Sequence, residues 1–264
     1  MRHKQGMAKW LRCRINGEER VGVADGLGSV NLCDGKLFEN PKITDEIVSY
    51  DDLEILTPCT PSKIVALWNN SKSNAERLNL DKPEHPLFFI KPVNSYLPTG
   101  KEIVKPKSYD GRIVYEAELG VVIGKTCSGV EVGGAKSYIF GYTCVNDVTA
   151  LSIIDEDSTF SQWTRAKAFD TFCPFGPVIE TELEVNVARV TANLNGRVRQ
   201  EYSVEDLFYK PEELVSLISH DVTLEPGDII SCGTGPGALP LKAGATIDVS
   251  VEGIGTLSNI FSEE

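Results

Sequence analysis

Glu116 and Glu118 stand two residues apart at the entrance to Leu119-Gly120-Val121-Val122-Ile123-Gly124, a run of aliphatics without proline. Such a run reads as a buried β-strand. Side chains alternate across a strand, so the two glutamates share a face with their Cα atoms about 7 Å apart. Like charges at that spacing repel, and a divalent cation is the simplest compensation. Taken alone, Glu-x-Glu more often marks two solvated glutamates on an edge strand, so the rest of the chain has to decide.

A second apolar segment, Gly141-Tyr142-Thr143-Cys144-Val145-Asn146-Asp147-Val148, ends in an acid at the point where a strand hands over to a loop. Asp in that place is often only a turn former or helix cap. Residues 162–170 carry Arg165, Lys167 and Asp170 among aromatics, and residues 171–177 read as a rigid proline loop leading into a strand at Val178-Ile179. Cys173 is expected to pack rather than to react, because no histidine is placed to activate it. Cys232-Gly233-Thr234-Gly235-Pro236-Gly237 follows a strand. Its backbone N–H groups and the Thr234 hydroxyl can receive a carboxylate. It lacks the Gly-Lys-Ser/Thr ending of a phosphate loop.

The elements that must position these groups are mostly strands. Residues 8–57 read as a small β module, with the Asn16-Gly17 and Asp25-Gly26 turns between alternating strands, acting as a lid or packing appendage. Residues 58–61 form a linker. A strand at Lys63–Leu67 runs into a helix over Ser71–Leu80 capped by Asn70 or Ser71. Pro86–Pro92 is a buried strand whose Lys91 reaches solvent, the usual fate of lysine. Further elements are a helix at Ala135–Phe140, a hairpin at Val190–Val198 about Asn195-Gly196, a helix at Glu212–Ile218 and a terminal strand at Ala245–Glu252. Loop is expected at residues 94–100.

The chain has 264 residues, 41% of them hydrophobic, with a net charge of −12 and a pI near 4.8. An acidic chain without a basic run excludes nucleic acid and anionic membrane as partners. No apolar run reaches the roughly 18 residues of a membrane span. The basic start through Met7 lacks the apolar stretch of a secretory signal, and Met7 reads as a native start. Seven scattered cysteines without a Cys-x-x-Cys pair read as reduced thiols of a cytoplasmic protein. With three histidines, none near a cysteine cluster, a zinc site is disfavoured.

Taken together, the segments resemble the fumarylacetoacetate hydrolase superfamily, in particular its 2-hydroxyhepta-2,4-diene-1,7-dioate isomerase and acylpyruvate hydrolase-like members. The resemblance covers residues 62–264. It rests on residues 86–92, Tyr115–Leu119, Gly141–Val148, Lys167–Pro177, Leu224–Asp228 and Val251–Leu257, in order. It implies a mixed α/β, β-rich roll as catalytic domain (62–264) behind the N-terminal module (1–57), and a homodimer. It also implies Mg²⁺, or Mn²⁺ or Ca²⁺, held by Glu116, Glu118 and Asp147, which suits hard oxygen ligands.

On the same resemblance, Lys167 holds or polarises the substrate oxyanion, and Thr234, with Gly233 beside it, meets the substrate carboxylate. Lys91 is given no role beyond local charge. Hydrolytic members carry Asn-Tyr-x-x-His-x-x-Glu after the first strand of this domain, where His and Glu activate water. Here Asn70 stands for the tyrosine and Ser73 for the histidine, and Glu76 is kept. Ser73 is a poor base at neutral pH, which leaves Glu76, or a residue of the 151–161 loop, to take over. The expected chemistry is metal-stabilised enolate formation on a 2-oxo acid, first as C–C hydrolysis of an acylpyruvate. The alternatives are isomerisation or decarboxylation of a 2-oxo or 2-hydroxydienoic dicarboxylate, or a non-catalytic, metal-stabilised relative.

Overall fold

The computed structural model describes residues 8–26 and 28–263. The basic start and Met7 lie outside the described residues. In chain order the strands of the N-terminal part are β1 (Lys9–Ile15), β2 (Glu18–Ala24), β3 (Ser29–Asp34), β4 (Lys42–Ser49) and β5 (Glu54–Ile55). Then come β6 (Ile64–Trp68), α1 (Lys72–Leu78), β7 (Leu87–Lys91), β8 (Tyr96–Leu97), β9 (Glu102–Val104), β10 (Ile113–Val114), β11 (Ala117–Ile123), α2 (Val132–Ala135), β12 (Ile139–Asn146) and β13 (Thr149–Ala150). The remainder is α3 (Trp163–Lys167), β14 (Cys173–Glu180), β15 (Arg189–Leu194), β16 (Arg197–Ser203), α4 (Pro211–Asp221), β17 (Ile229–Ser231), β18 (Thr246–Val251) and β19 (Gly255–Ser262).

The fold is mixed α/β and strand-rich. One 12-stranded sheet follows the path β4-β3-β2-β1-β14-β12-β11-β17-β6-β7, with β5 joined to β1 and β8 to β14. A five-stranded sheet, β16-β15-β18-β19-β9, and a β10–β13 ribbon accompany it. The N-terminal strands extend the large sheet directly, because β1 pairs with β14 through Lys9–Glu180 and Trp10–Ile179.

Strand β11 lies inside the large sheet, between β12 and β17. All seven of its residues are buried, which is why the segment reads as a continuous apolar run rather than an alternating one. Leu119, Val121 and Ile123 join the larger core. Val122 joins a second core with Val145, Ile179 and Ile229. Register identifies the residues that share the Glu118 face. Gly120 pairs with Ser231, Ser231 with Ala66, and Ala66 with Phe89. Stepping by two along each strand places Glu118, Ser231, Trp68, Phe89 and Lys91 on one side. Helix α3 packs over β7 on this side.

Several expectations change. Ala135–Phe140 is not one helix. Helical backbone ends at Tyr138, since Ile139 already pairs with Ile123 and opens β12. The proline segment is a strand from Cys173 on. Pro174 and Pro177 lack donors, yet Phe175 and Gly176 pair with Val145 and Cys144, and Cys173 and Pro174 run parallel to Tyr96 and Leu97. That pairing also turns part of the 94–100 loop into β8. The chain closes with an eight-residue strand, β19, after the Gly253 turn. Ser71, not Asn70, caps α1, accepting a hydrogen bond from the Asn74 N–H.

Candidate active site and metal centre

Three acidic side chains meet where β11 begins and β12 ends. Ligand oxygens of Glu116, Glu118 and Asp147 all lie within 4.8 Å of one another. Glu116 precedes β11, and the backbone carbonyl of Glu116 accepts the Asp147 N–H at 2.9 Å, which ties the two strand ends together. Glu118 and Asp147 are each 1% exposed.

Two buried lysines enter the same space. Lys167, from the last turn of α3, donates to Glu116 Oε2 at 2.5 Å and also to Asp147 Oδ2. Lys91, from the end of β7, donates to Asp147 Oδ1 at 2.7 Å and to the carbonyls of Phe172 (2.8 Å) and Val148 (3.2 Å). Lys91 therefore does not reach solvent: it is 1% exposed. Burial alone would neutralise Asp147, but the Lys167 and Lys91 charges and hydrogen bonds overrule it and hold the carboxyl below its usual range. Burial likewise opposes the Lys167 charge, and Asp147 and Glu116 reverse that, so the ammonium is retained more firmly than normal.

Glu118 is different. Its Oε2 accepts only neutral donors, the Ser231 hydroxyl at 2.6 Å and the Gly233 N–H at 2.9 Å. Burial, then repulsion from Asp147 and Glu116, pushes its pKa from 4.5 to about 8. Three carboxyl groups face two ammoniums, and Glu118 is the one without an ion-pair partner and the one whose negative charge is least favoured until a cation arrives. A hard divalent ion fits this arrangement. All donors are oxygens, and ligands at about 2.0–2.6 Å from an ion stand up to roughly 4–5 Å apart across it.

The loop after β17 is tied to the carboxylates through Ala117, the residue between the two glutamates. Its N–H donates to Gln200 Oε1 at 3.1 Å, and its carbonyl accepts from Tyr202 (2.9 Å) and Thr234 (3.0 Å). Gln200 donates onward to the Thr234 hydroxyl and the Gly235 carbonyl, both at 2.9 Å. Gln200 and Tyr202 both come from β16, so the second sheet sets this span. Gly235 has to be glycine, because a Cβ there would stand 2.5 Å from the Tyr202 ring. Gly233 takes φ +89° with Asn70 close against it, and Asn70 holds the loop through the Cys232 carbonyl at 2.8 Å.

Glu116, Glu118, Asp147 and Lys167 are thus brought together, with Gly233 and Thr234 alongside. Ser73 and Glu76 share no hydrogen bond with these groups. The Ser73 hydroxyl donates to Asp206 at 2.7 Å and its N–H at 3.1 Å, while the Ser71 hydroxyl reaches the same carboxylate at 2.6 Å. Glu76 is exposed on α1. Cys173 is buried, and desolvation pushes its thiol up to about 12. The sequence reading missed Lys91, Ser231, Gln200, Tyr202 and Asp206. A lysine closing the run Leu87-Phe88-Phe89-Ile90 was a signal for the first. The others reach the site only through folding and carry no local signature.

Fold and centre together define a mixed α/β, strand-rich protein with a lysine-flanked acidic cluster that could hold a hard cation. Residues 63–262 match the family model described as "Fumarylacetoacetate (FAA) hydrolase C-terminal", and the chain belongs to that family. It is 36% identical over 281 residues to 2,4-didehydro-3-deoxy-L-rhamnonate hydrolase of Sphingomonas sp. (strain SKA58), covering 97% of this chain and 96% of the relative. It is 33% identical over 263 residues to oxaloacetate tautomerase YisK of Bacillus subtilis (strain 168), covering 94% and 85%. The crystal structure of 5-carboxymethyl-2-hydroxymuconate delta-isomerase from Mycobacterium smegmatis superposes with a TM-score of 0.88 at 33% identity, over 97% of this chain and 100% of that one. The family is one of enzymes acting on small molecules, hydrolases, isomerases and a tautomerase among them. No helix among the described residues is long and apolar enough to cross a membrane.

Proposed function

We propose that this chain is a divalent-metal-dependent enzyme that acts on a 2-oxo acid through its enolate, and that the bond it breaks is the C–C bond of an acylpyruvate. The observation that carries the reading is the clustered trio of Glu116, Glu118 and Asp147, in which Glu118 accepts only neutral hydrogen bonds, with Lys167 and Lys91 beside it. Glu116, Glu118 and Asp147 would hold Mg²⁺, with Mn²⁺ or Ca²⁺ as substitutes. When bound, the ion supplies a Lewis acid for the chelating 2-oxo acid and its developing enolate. The Lys167 ammonium, held charged by its partners, stands ready for the same oxyanion.

Thr234 is suited to the substrate carboxylate. Turning its proton away from Ala117 leaves that carbonyl still bonded to Tyr202, so no buried acceptor is orphaned. In hydrolysis, water contributes hydroxide to the acyl carbon, the electron pair of the broken bond stays on the pyruvate enolate, and a proton completes pyruvate. Glu76, exposed on α1, is the base for that water. Cytoplasmic location, a homodimer and an N-terminal module acting as a lid go with this reading, on the family resemblance.

A second reading is supported by Ser73. It stands where hydrolytic members carry histidine, and its hydroxyl and N–H are committed to Asp206. Enol–keto isomerisation, or decarboxylation of oxaloacetate, needs no activated water. The experiment follows the enol absorbance of acetylpyruvate and of oxaloacetate with Mg²⁺, with and without EDTA, and identifies products. Acetate and pyruvate from acetylpyruvate support hydrolysis. Faster oxaloacetate interconversion or CO₂ release, with acetylpyruvate intact, supports the second reading. No turnover of either with any divalent metal would sink both.

A further inference from the structure

The apolar groove beside the centre faces the same side of the sheet as Glu118. We propose that this groove, lined by Trp68, Pro86, Leu87, Phe88, Phe89 and Trp163, receives the far end of the substrate, and that this end is an uncharged group of aryl size. The inference rests on the 2-oxo acid reading and names the class of tail.

Three observations carry it. The first is continuity. The Lys167 ammonium lies 4.9 Å from the centroid of the Phe89 ring. That ring stacks on Trp163 at 5.7 Å with an interplanar angle of 17°, and Trp163 meets Trp68 at 4.8 Å. Trp163 and Lys167 are one turn apart on α3, so one helix carries both the oxyanion group and the groove wall. A tail leaving a head group at Lys167 therefore runs onto aromatic surface.

The second is size and exposure. The groove encloses about 410 Å³, within the range of small-molecule sites. Leu87 remains 45% exposed on the edge strand β7. The third is chemistry. None of the residues lining the groove is charged. A second carboxylate would lose its water there and gain no cation, whereas an aromatic ring gains stacked contacts.

The test compares 4-phenyl-2,4-dioxobutanoate, acetylpyruvate and fumarylpyruvate as substrates with Mg²⁺, in the wild type and in Trp68→Leu and Trp163→Leu. The phenyl compound is expected to exceed both others in kcat/KM by about tenfold or more, with the advantage lying in KM and mostly lost in either variant. Calorimetric binding of 4-phenyl-2-oxobutanoate and 2-oxobutanoate gives a second readout that needs no turnover. If no acylpyruvate reacts, the hydrolytic reading fails. A tenfold tighter phenyl ligand whose advantage disappears in Trp163→Leu still upholds the subsite. Equal affinities for the two ligands, or preference for fumarylpyruvate, would overturn it. So would a dimer that Leu87→Arg dissociates while the tail preference stays unchanged, because the face would then belong to a second copy of the chain.

Discussion

Two charged clusters use the same residue types to opposite effect. On the N-terminal strands, Arg12 and Arg14 hold Glu19 at 2.8 and 2.9 Å, and Arg14 and Lys101 hold Glu54, each at 3.0 Å. These side chains are 19–50% exposed. At the start of β11, Lys91 and Lys167 hold Asp147 and Glu116 with side chains only 1–15% exposed, and Glu118 makes no ion pair among the described residues. Water screens the first cluster, so its charges are nearly free of consequence. The second has lost its water, and every charge there depends on its neighbours. Similar ion-pair geometry is therefore a surface feature in one place and a latent chemical site in the other. Burial makes the difference, and with it the lack of any ion pair to Glu118.

The largest effect is expected from removing the acid that lacks an ion pair. Glu118→Gln keeps an acceptor for Ser231 and Gly233 but lowers metal-dependent turnover by on the order of 10²–10³ or more. The metal-free variant should melt no lower than metal-free wild type at neutral pH, because a neutral amide replaces a carboxyl whose ionisation burial opposes. Turnover within a few-fold of wild type would remove Glu118 from the metal site.

Next comes Lys91→Met, which strips one partner from buried Asp147. A loss of about 3–5 kcal/mol is expected in chemical denaturation. A change below about 1 kcal/mol would mean that Lys167 alone satisfies that carboxylate.

The pH response separates the clusters further. Because folding raises the Glu118 pKa from 4.5 to about 8, the folded state binds more protons than the unfolded chain between those values. The contribution is complete below the ordinary carboxyl pKa and is lost as pH rises through about 8. EDTA-treated protein should therefore lose stability between pH 5 and 9, and Mg²⁺ should flatten that slope. Metal-free protein gaining stability across the interval would contradict the assignment. The smallest effect belongs to the exposed cluster, where Arg14→Ala should leave the denaturation midpoint close to that of wild type, and a shift as large as that of Lys91→Met would contradict the contrast.

The two clusters also differ in how far they could be read from sequence. The acidic trio was legible through the family resemblance: strand periodicity pairs Glu116 with Glu118, but by residues alone the two read as solvated and Asp147 as a turn former. The N-terminal hairpin was legible from Asn16-Gly17, whose residues take φ 51° and 83°. Gln200 and Tyr202 were not legible. They reach Ala117 from another sheet, 83 and 85 residues away in sequence, and no local pattern encodes such a contact. Lys91 was misread because lysine usually finds water, and only the tertiary fold closes it in. Residues 171–177 were misread because proline content argues for loop, whereas pairing on both sides makes a strand. Ser73 was read as a departure from the family's histidine, and its partner Asp206 comes from a turn that spacing does not reveal.

The most direct test of the central claim is a calorimetric titration of Mg²⁺ or Mn²⁺ into EDTA-stripped, dialysed wild type and Glu118→Gln at pH 7. One ion per chain is expected for wild type, with proton release, because a carboxyl with a pKa of about 8 has to ionise on binding. Affinity should fall by on the order of a hundredfold in the variant. Wild type that takes up no divalent ion, or a variant that binds as tightly and releases as many protons, would contradict it.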